Sequence, residues 1–193
     1  MKHIIIEGLD CIGKNALIKK IADYYNYENL TIRHFGKPPK FTQGKDILSY
    51  QIDCFNAEIL LLNSIYQLEL GSHSYYENTV IWNRSFHGEY VHGHLHRQYD
   101  KSKLLNEISI LEKKLTSNTY FFVFYSSPDF AMKKEDGHSF SKNLEQKNNE
   151  IYLFHEIFDQ SIIANKKIIN VEENGYFKTK ETIFQESLKL IQK

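Results

Sequence analysis

The chain carries the stretch Gly8-Leu9-Asp10-Cys11-Ile12-Gly13-Lys14-Asn15 directly after the apolar run Ile4-Ile5-Ile6. An apolar run of this kind predicts a buried strand. Beyond the stretch, apolar side chains recur at the spacing of one helix face, at Leu17, Ile18, Ile21, Ala22 and Tyr25. A glycine-containing turn between a strand and a helix is typical of a phosphate-binding loop. The stretch therefore predicts an α/β fold with a polyphosphate site after its first strand.

The backbone of this loop is expected to hold the phosphates. Glycines let backbone N–H groups face the ligand, and the helix N-terminus adds partial positive charge. Lys14 is expected to reach the β- and γ-phosphates. The residues predicted to bind the nucleotide phosphates are Gly8, Cys11, Ile12, Gly13, Lys14 and Asn15. Asn15 stands where such loops usually carry a hydroxyl for Mg²⁺, so an amide oxygen is expected as the ligand.

Composition favours one globular domain without a strong charge preference. Lys plus Arg and Asp plus Glu both number 24, so the formal net charge of the 193 residues is zero. The absence of a basic block disfavours long nucleic acid as the main partner. Cys11 and Cys54 have no metal or disulfide spacing, and no apolar stretch is long enough to span a bilayer. We expect a single cytoplasmic domain over residues 1–193, with no membrane partner.

Short apolar segments alternate with helical patterns along the chain. Strands are predicted near Ile4–Glu7, Thr31–Phe35, Thr79–Asn83, Tyr120–Tyr125 and Lys167–Val171. Helices are predicted from Lys14, at about Asp46–Leu70, Lys101–Leu115 and Asn143–Ala164, and from Lys180. The run Tyr120–Tyr125 lacks alternation, as expected for a strand covered on both faces. This order predicts a three-layer α/β fold, in which helices flank a five-stranded parallel sheet.

Three further segments follow predicted strands and are expected to reach the same edge of the sheet. They are the basic and aromatic turn Arg33–Pro39, the segment Trp82–Tyr90, and the charged loop Lys133–Phe140. Phosphoryl transfer depends on positioning and on neutralising charge, so it needs cations that arrive from several loops. The sequence therefore favours a phosphotransferase site at this edge.

These motifs resemble the thymidylate kinase branch of the P-loop nucleoside monophosphate kinases, and most of all its phage-type deoxynucleotide kinases. The resemblance rests on Ile6–Asp10 with Gly13-Lys14, on the pair Asn83-Arg84, and on the lid-like segment Lys133–Ser141. It implies transfer of the γ-phosphoryl group of ATP to a deoxynucleoside monophosphate, dTMP-like, with Mg²⁺ as the metal. It also implies a short lid at about 130–145 and a homodimer.

The resemblance assigns catalytic roles to four residues besides Lys14. Arg84 is expected to hold the acceptor phosphate, and Asp10 to lie near the acceptor sugar or the catalytic centre. Lys133 and Lys134 stand where the lid of the family usually presents arginine, so they are expected to face the transferring phosphoryl group. A lysine lacks the bidentate fork of arginine, which predicts weaker stabilisation of the transition state.

The same resemblance places residues around the acceptor nucleotide. Arg33 and Phe35 are expected near it, and Phe55 is expected in a helix that lines the base pocket. Arg97 has two interpretations that stay open: a further phosphate clamp or a surface charge. With Arg84, these are the predicted substrate-binding residues.

Both positions that hold Mg²⁺ in the family carry asparagine here. Asn83 replaces an aspartate at the end of the third strand, and Asn15 replaces the hydroxyl of the loop. A hard cation prefers charged oxygen ligands, so these changes predict slow or metal-altered activity. Glu7, Asp10 and Glu89 are the alternative ligands.

A histidine cluster offers a rival interpretation. His87, His92, His94 and His96 lie within ten residues, and a helix would bring His92 and His96 to one face at a spacing used for zinc. No glutamate completes a metalloprotease pattern. A helix that faces solvent or phosphate is therefore favoured over a metal site.

Three functions remain open from the sequence. The first is the nucleoside monophosphate kinase described above. The second is a kinase of a modified base or an end in DNA, which the even charge balance disfavours. The third is a nucleotide-binding regulator that has lost catalysis, an interpretation motivated by Asn15 and Asn83.

Cys11 lies inside the predicted phosphate loop, close to Lys14 and to a helix N-terminus. Such surroundings favour the thiolate. We therefore expect Cys11 to react quickly with alkylating reagents and to be protected by ATP, with Cys54 as the reference.

Overall fold

Five parallel strands form the central sheet of the computed structural model, which describes residues 1–25, 29–36, 46–70, 78–137 and 139–192. The strands are β1 (Lys2–Gly8), β2 (Leu30–His34), β3 (Thr79–Asn83), β4 (Thr119–Tyr125) and β5 (Asn165–Asn170). Their order across the sheet is β2-β3-β1-β4-β5. All four neighbouring pairs run parallel, which confirms the predicted sheet.

Helices connect these strands and cover both faces of the sheet. In the described part of the chain they are α1 (Lys14–Tyr24), α2 (Ile47–Leu70), α3 (Phe86–Arg97), α4 (Lys101–Glu112), α5 (Pro128–Lys133), α6 (Leu144–Gln160) and α7 (Lys180–Ile191). A short antiparallel hairpin, formed by β6 (Glu172–Glu173) and β7 (Tyr176–Phe177), precedes α7. None of the described helices is long and apolar enough to cross a membrane.

The alternation of side chains in β1 explains the three layers. Ile4 and Ile6 belong to the core that α1 and α7 cover, whereas Ile5 belongs to the core that α2, α3, α4 and α6 cover. All three isoleucines are fully buried. Because successive side chains of a strand point to opposite faces, one apolar run supplies both cores. The predicted three-layer α/β fold is thus confirmed.

Several local elements differ from the sequence expectations. The helix predicted to reach Ala164 ends at Gln160, because the carboxylate of Glu112 accepts from the hydroxyl of Ser161 and the backbone N–H of Ile162. These bonds hold the next residues out of the helix. Helix α5 and the hairpin were not predicted, since each is too short to show a periodic pattern. Residues 37–39 of the predicted basic turn lie outside the described residues.

Candidate functional site

The phosphate-binding loop begins where β1 presses against β4. Gly8 has a φ of 124°, and a Cβ added there would lie 2.0 Å from the carbonyl oxygen of Phe124. Only glycine fits this space, so Gly8 lets the chain turn beside β4. Gly13, with a φ of 90°, ends the loop directly before Lys14 and α1. The loop therefore stands at the carboxyl end of the central strand.

Lys14 is buried against its own loop. Its Nζ donates to the carbonyl oxygen of Gly8 at 2.6 Å and also to that of Leu9. The Oδ1 of Asp10 lies 3.7 Å away. Burial lowers the pKa of Lys14, although Asp10 opposes this shift. Oxygens of the loop thus surround the cation that the sequence assigns to phosphate.

Asp10 also pairs with Arg84, the residue that follows β3. The guanidinium of Arg84 donates to Asp10 Oδ1 at 2.5 Å. Arg84 has a φ of 64°, a left-handed conformation that turns the chain sharply after the strand, while its backbone N–H donates to Ile6. Burial raises the pKa of Asp10, but Lys14 and Arg84 outweigh it and hold that pKa below its ordinary value. One carboxylate therefore holds both cations.

A cavity of about 360 Å³ opens beside the loop, and we call it the loop cavity. Its lining residues come from the loop, from the ends of β2 and β3, and from the lid-like segment: Asp10, Cys11, Ile12, Gly13, Lys14, Asn15, His34, Asn83, Arg84, Asp136 and Ser139. The cavity brings together all the predicted phosphate-binding residues except Gly8. His34, Asp136 and Ser139 were not predicted, although each follows the carboxyl end of a strand or lies in the lid.

The two asparagines at the predicted metal positions bond to each other. The amide Nδ2 of Asn83 donates to Oδ1 of Asn15 at 2.8 Å. Both residues are neutral, and the oxygen expected from Asn15 already accepts this bond. Mg²⁺ prefers charged oxygens that face the ion, so this pair does not fit it well. Their role as metal ligands stays a prediction, and the amide pair is an observation against it.

A second cavity, of about 40 Å³, lies between α2, α3 and the lid-like segment. We call it the aromatic cavity, because Phe35, Phe55 and Phe140 line it. The ring centroids of Phe35 and Phe55 are 4.3 Å apart, and Phe35 stacks on Trp82 at an interplanar angle of 12°. Two of the predicted substrate-binding residues, Phe35 and Phe55, therefore meet at one wall.

The polar end of the aromatic cavity is built around Glu89. Arg97 pairs with the Oε2 of Glu89, and the side chain of Gln51 hydrogen-bonds to the same carboxylate. Burial raises the pKa of Glu89, although Arg97 opposes the shift. Gln51 was not among the predicted site residues, although it lies four residues before Phe55 on α2, a spacing that puts both on one helix face.

Among the residues that the structure describes, three buried polar atoms that belong to lining residues of this cavity have no hydrogen-bond partner: Oε1 of Gln51, Nε of Arg97 and Nδ1 of His92. Burial lowers the pKa of His92 to about 3, so this imidazole is neutral at physiological pH. Unpaired buried polar groups are unfavourable and infrequent in folded proteins. They mark the polar end as a place where a ligand could supply the missing partners.

Arg84 lines both the loop cavity and the aromatic cavity. It therefore stands between the predicted phosphate site and the aromatic wall. This position agrees with the expectation that Arg84 contacts the acceptor phosphate, an expectation that stays a prediction.

Three other predicted site residues lie away from both cavities. Arg33 pairs with Glu58 of α2. Lys134 lies over the rings of Phe130 and Phe177, at 5.3 Å from each centroid. Lys133 ends α5 and is exposed. None of the three lines the loop cavity or the aromatic cavity, because each side chain leaves its element on another side.

The lid-like segment is fixed by a buried lysine of α6. Lys147 is fully buried, and its Nζ lies 2.9 Å from the Oε2 of Glu135 and 3.1 Å from the Oγ of Ser139. Burial raises the pKa of Glu135, but its bonds with Ser139 and Lys147 outweigh this and lower the pKa to about 2. The sequence placed the lid cations at Lys133 and Lys134, whereas the ion pair that holds the segment uses Lys147.

A third cavity, of about 320 Å³, adjoins the loop on the side of the hairpin. This hairpin cavity shares Ile12 and Gly13 with the loop cavity, and its other lining residues include Ala16, Phe177, Lys178 and Thr179. It is mostly apolar apart from its lysines. No pattern in the sequence predicts this cavity, since the hairpin is too short to show one.

A buried polar network fixes α3 to the strand that leads into the loop. Oε1 of Glu7 accepts from the backbone N–H groups of Ser85 and Gly88 and from the hydroxyl of Ser85. His87 continues the network, with ring nitrogens 2.9 Å from the Oγ of Ser85 and 2.8 Å from the Oε1 of Glu112. The helix that carries Glu89 and Arg97 is thus joined directly to β1.

The histidine cluster does not converge on one point. His87 is fully buried in the network, which corrects the expectation of a solvated helix. His94 bonds to the backbone carbonyl of Tyr99, and His96 stacks on Phe140. Within the described residues, no group of His, Cys, Asp and Glu is arranged to hold a metal ion.

Cys11 departs from its expected chemistry. Burial raises the pKa of its thiol, and the nearby carboxylates of Asp136 and Glu135 add to the shift. The expectation of a favoured thiolate is therefore wrong, because the acidic lid-like segment outweighs the helix N-terminus. Cys54 on α2 is exposed.

Comparisons with known proteins rest on structure. No protein-family model matches the chain, and no curated protein matches it. The YorR protein of Bacillus subtilis, solved in complex with phosphorylated GDP, is 13% identical, with a TM-score of 0.66 over 99% of this chain and 96% of that chain. A thymidylate kinase from Ehrlichia chaffeensis is 14% identical, with a TM-score of 0.62 over 99% of this chain and 98% of that one.

A polyphosphate kinase 2 from Arthrobacter aurescens is 10% identical, with a TM-score of 0.62 over 98% of this chain and 65% of that one. At these identities the likeness is one of fold. This chain therefore has the five-stranded parallel α/β fold of P-loop kinases.

Proposed function

We propose that this protein is a nucleotide kinase that transfers the γ-phosphoryl group of ATP to a nucleoside monophosphate. One observation carries the proposal: Arg84 lines both the loop cavity and the aromatic cavity. A cation between two sites is what transfer from one bound phosphate to another requires.

The donor triphosphate is assigned to the loop cavity. The loop supplies backbone N–H groups at the N-terminus of α1, and Lys14 supplies a positive charge. The hairpin cavity adjoins this site, since Ile12 and Gly13 line both, so the donor nucleoside is assigned there. Lys14 would exchange the carbonyl oxygens of Gly8 and Leu9 for phosphate oxygens, which form stronger charge-assisted bonds.

The acceptor is assigned to the aromatic cavity. A base can stack on Phe35, which packs on the buried Phe55, while Arg84 at the boundary can hold its phosphate. Asp10 would keep Arg84 oriented through the bond at 2.5 Å. Transfer would then proceed between two sites that share one arginine.

Mg²⁺ normally accompanies ATP and neutralises its phosphates. Because Asn15 and Asn83 bond to each other, we assign no step to a protein-held metal. Charge neutralisation by this chain is assigned to Lys14 and Arg84.

The acceptor base has two candidates among the similar structures. The resemblance in sequence implies a thymidine-like acceptor, and one similar structure is a thymidylate kinase. Another similar structure holds phosphorylated GDP. The phage-type grouping, the single kinase domain over residues 1–193, the homodimer and the cytoplasmic setting stay predictions.

A catalytically impaired regulator is the second candidate function. The hydrogen bond between Asn15 and Asn83 favours it, since it joins the two positions expected to hold the metal. A kinase acting on DNA receives less support, because the formal net charge of the chain is zero and the sequence has no basic block to attract the DNA backbone.

The test is ADP release from ATP with each deoxynucleoside monophosphate and with short oligonucleotides. A monophosphate kinase gives ADP only with the mononucleotides, and a DNA kinase gives it only with oligonucleotides. A regulator binds ATP, as calorimetry would detect, without release in either case. The variant Lys14→Ala serves as the control for contaminating kinases. Release by this variant at the wild-type rate would assign the activity to another protein.

A further inference from the structure

The aromatic wall of the acceptor site does not by itself choose a base. Phe35, which packs on the buried ring of Phe55, offers a partly exposed ring surface, and every base has a face that can stack on it. Selection therefore depends on the polar end of the cavity, where Glu89, Arg97 and Gln51 meet.

Glu89 presents a carboxylate that can only accept hydrogen bonds. It is 8% exposed, and its pairing with Arg97 keeps the charge inside the cavity wall. Its two oxygens have about four acceptor positions, of which Arg97 and Gln51 use two. The remaining acceptor positions of the carboxylate can accept hydrogen bonds from N–H donors of a ligand.

Within the described residues, three further atoms at this end lack hydrogen-bond partners: Oε1 of Gln51, Nε of Arg97 and Nδ1 of His92. The first two have a defined donor or acceptor role, whereas that of Nδ1 depends on the tautomer of His92. Because the carboxylate of Glu89 requires a donor from Gln51, the amide nitrogen faces Glu89 and the oxygen remains as an acceptor. At the polar end, the carboxylate of Glu89 and Oε1 of Gln51 can each accept a hydrogen bond from a ligand. Nε of Arg97 can donate one.

The bases differ in how they meet this demand. The pairing edge of guanine has two adjacent N–H donors, at N1 and N2, beside the carbonyl oxygen O6. Thymine has one N–H between two carbonyl oxygens, and a carboxylate repels such oxygens. Adenine and cytosine each offer one amino group beside a ring nitrogen that only accepts.

We propose that Glu89, Gln51 and Arg97 select a guanine base, so that the acceptor is a guanine nucleoside monophosphate. N1–H and N2–H donate to Glu89 and Gln51, and O6 accepts from Nε of Arg97. This inference rests on the proposed function, because it names the substrate of the same acceptor site. It replaces the thymidine-like base that the sequence resemblance implies.

The experiment measures both equilibrium binding by calorimetry and ADP release for dGMP, dTMP, dAMP, dCMP and deoxyinosine monophosphate. The last ligand has the guanine edge without the N2 amino group. We expect dGMP to bind and react at least about tenfold better than dTMP, and deoxyinosine monophosphate to lose about tenfold relative to dGMP.

The variant Glu89→Gln keeps the shape of the side chain and removes the charge. It is expected to reduce the preference for dGMP over dTMP toward unity, because an amide can donate to a thymine carbonyl oxygen that a carboxylate repels. The matched control is Glu156→Gln, on α6, whose partner Lys101 lies outside the cavity. This control is expected to keep the wild-type preference.

Several results would overturn the proposal. The first is that the wild type binds dTMP, and releases ADP with it, as well as or better than with dGMP. The second is that dGMP and deoxyinosine monophosphate bind with the same affinity. The third is that Glu89→Gln lowers the affinity for all the monophosphates equally. The wild-type measurements decide the matter even if this variant fails to fold. Selective binding of dGMP without ADP release would refute the kinase function and keep the base assignment, whereas binding of none of the monophosphates would overturn both.

Discussion

The loop cavity and the aromatic cavity differ in how their polar atoms are satisfied. In the loop cavity, Asp10 pairs with both Lys14 and Arg84. In the aromatic cavity, polar atoms of Gln51 and Arg97 are buried without partners. In the loop cavity, the carboxylate of Asp10 already occupies the place that a charged ligand would take beside the two cations. In the aromatic cavity, no residue that the structure describes takes the place of the ligand at these polar atoms.

This difference separates two tasks of a transferase. At the loop cavity a phosphate exchanges existing bonds for new ones, so the net gain is small and does not depend on the base. At the aromatic cavity a base satisfies groups that are otherwise unpaired, and a wrong base leaves them unpaired. Charge handling therefore belongs to the first site and selectivity to the second.

The largest expected effect follows from removing the cation of the loop cavity. Lys14→Ala is expected to lower kcat by roughly a hundred- to thousandfold, because no other lysine among the described residues lines that cavity. Steady-state ADP release measures the loss. Lys19→Ala on the same helix is the control, and comparable rates in the two variants would remove Lys14 from the donor site.

Arg84 tests the boundary between the cavities. Arg84→Ala is expected to raise KM for the acceptor by roughly ten- to hundredfold, with a smaller rise for ATP, because it removes a charged donor between the sites. Arg84→Lys keeps the charge and is expected to lose less. Equal changes of KM for both substrates would argue that Arg84 serves mainly the donor or the fold.

Variants of Asn15 and Asn83 test whether polar groups of the loop cavity are stabilised by hydrogen bonds to each other. Asn83→Asp alone brings a carboxylate against Oδ1 of Asn15 and is expected to destabilise the protein. Adding Asn15→Thr supplies a hydroxyl donor, so the double variant is expected to recover about 0.5–3 kcal/mol. It is also expected to need less Mg²⁺ for activity, since a charged oxygen ligand is restored.

Thermal melts and Mg²⁺ titrations of the wild type, both single variants and the double variant complete this cycle. Additive changes in the free energy of unfolding would mean that the two asparagines act independently.

The lid-like segment contributes to both cavities, through Ser139 to one and Phe140 to the other. The pKa of Glu135 is lowered to about 2 in the folded chain, from an ordinary value of 4.5. Its contribution to stability is therefore full above pH 4.5 and is lost as the pH falls toward 2.

Glu135→Gln is expected to lower Tm by about 2–4 °C at pH 7, and this difference is expected to shrink on acidification below pH 4.5. Glu145→Gln, an exposed residue of α6, is the matched control. A difference in Tm that is independent of pH would contradict the role of the Glu135 and Lys147 pair.

The smallest expected effect concerns the rate at which Cys11 is alkylated. We expect Cys11 to be alkylated several-fold more slowly than Cys54, because burial and Asp136 raise its pKa while Cys54 is exposed. Saturating ATP is expected to slow Cys11 further and leave Cys54 unchanged. Site-resolved mass spectrometry measures both rates, and Asp136→Asn is expected to speed the reaction of Cys11. Faster alkylation of Cys11 than of Cys54 in the wild type would restore the thiolate interpretation.

The sequence predicts the loop cavity better than the aromatic cavity, for a physical reason. Gly8, Gly13 and Lys14 are contiguous, and their spacing carries the geometry of the turn with it. Gln51 and Glu89 come from different helices and meet only in the folded chain. No local sequence pattern indicates that these two residues are close in space.

The sequence also does not show which charged residues lie next to each other in the folded chain. Lys133 and Lys134 were the only cations in the lid-like segment before Ser141, yet Lys147 on the next helix makes the buried bond. The neighbours of Cys11 in the loop favour its thiolate, whereas burial and the carboxylates of Asp136 and Glu135, which belong to another segment, raise its pKa. Electrostatics depends on distance in space, which single-sequence reasoning does not supply.

The central place of β1 has a consequence for the order of assembly. This strand is synthesised before both of its neighbours in the sheet, β3 on one side and β4 on the other. Gly8 reaches its turn only against Phe124. A nascent chain that stops before β4 therefore lacks the wall that shapes the phosphate-binding loop, and such long-range pairing slows folding. The loop completes its geometry only after a strand more than a hundred residues later in the chain has been made.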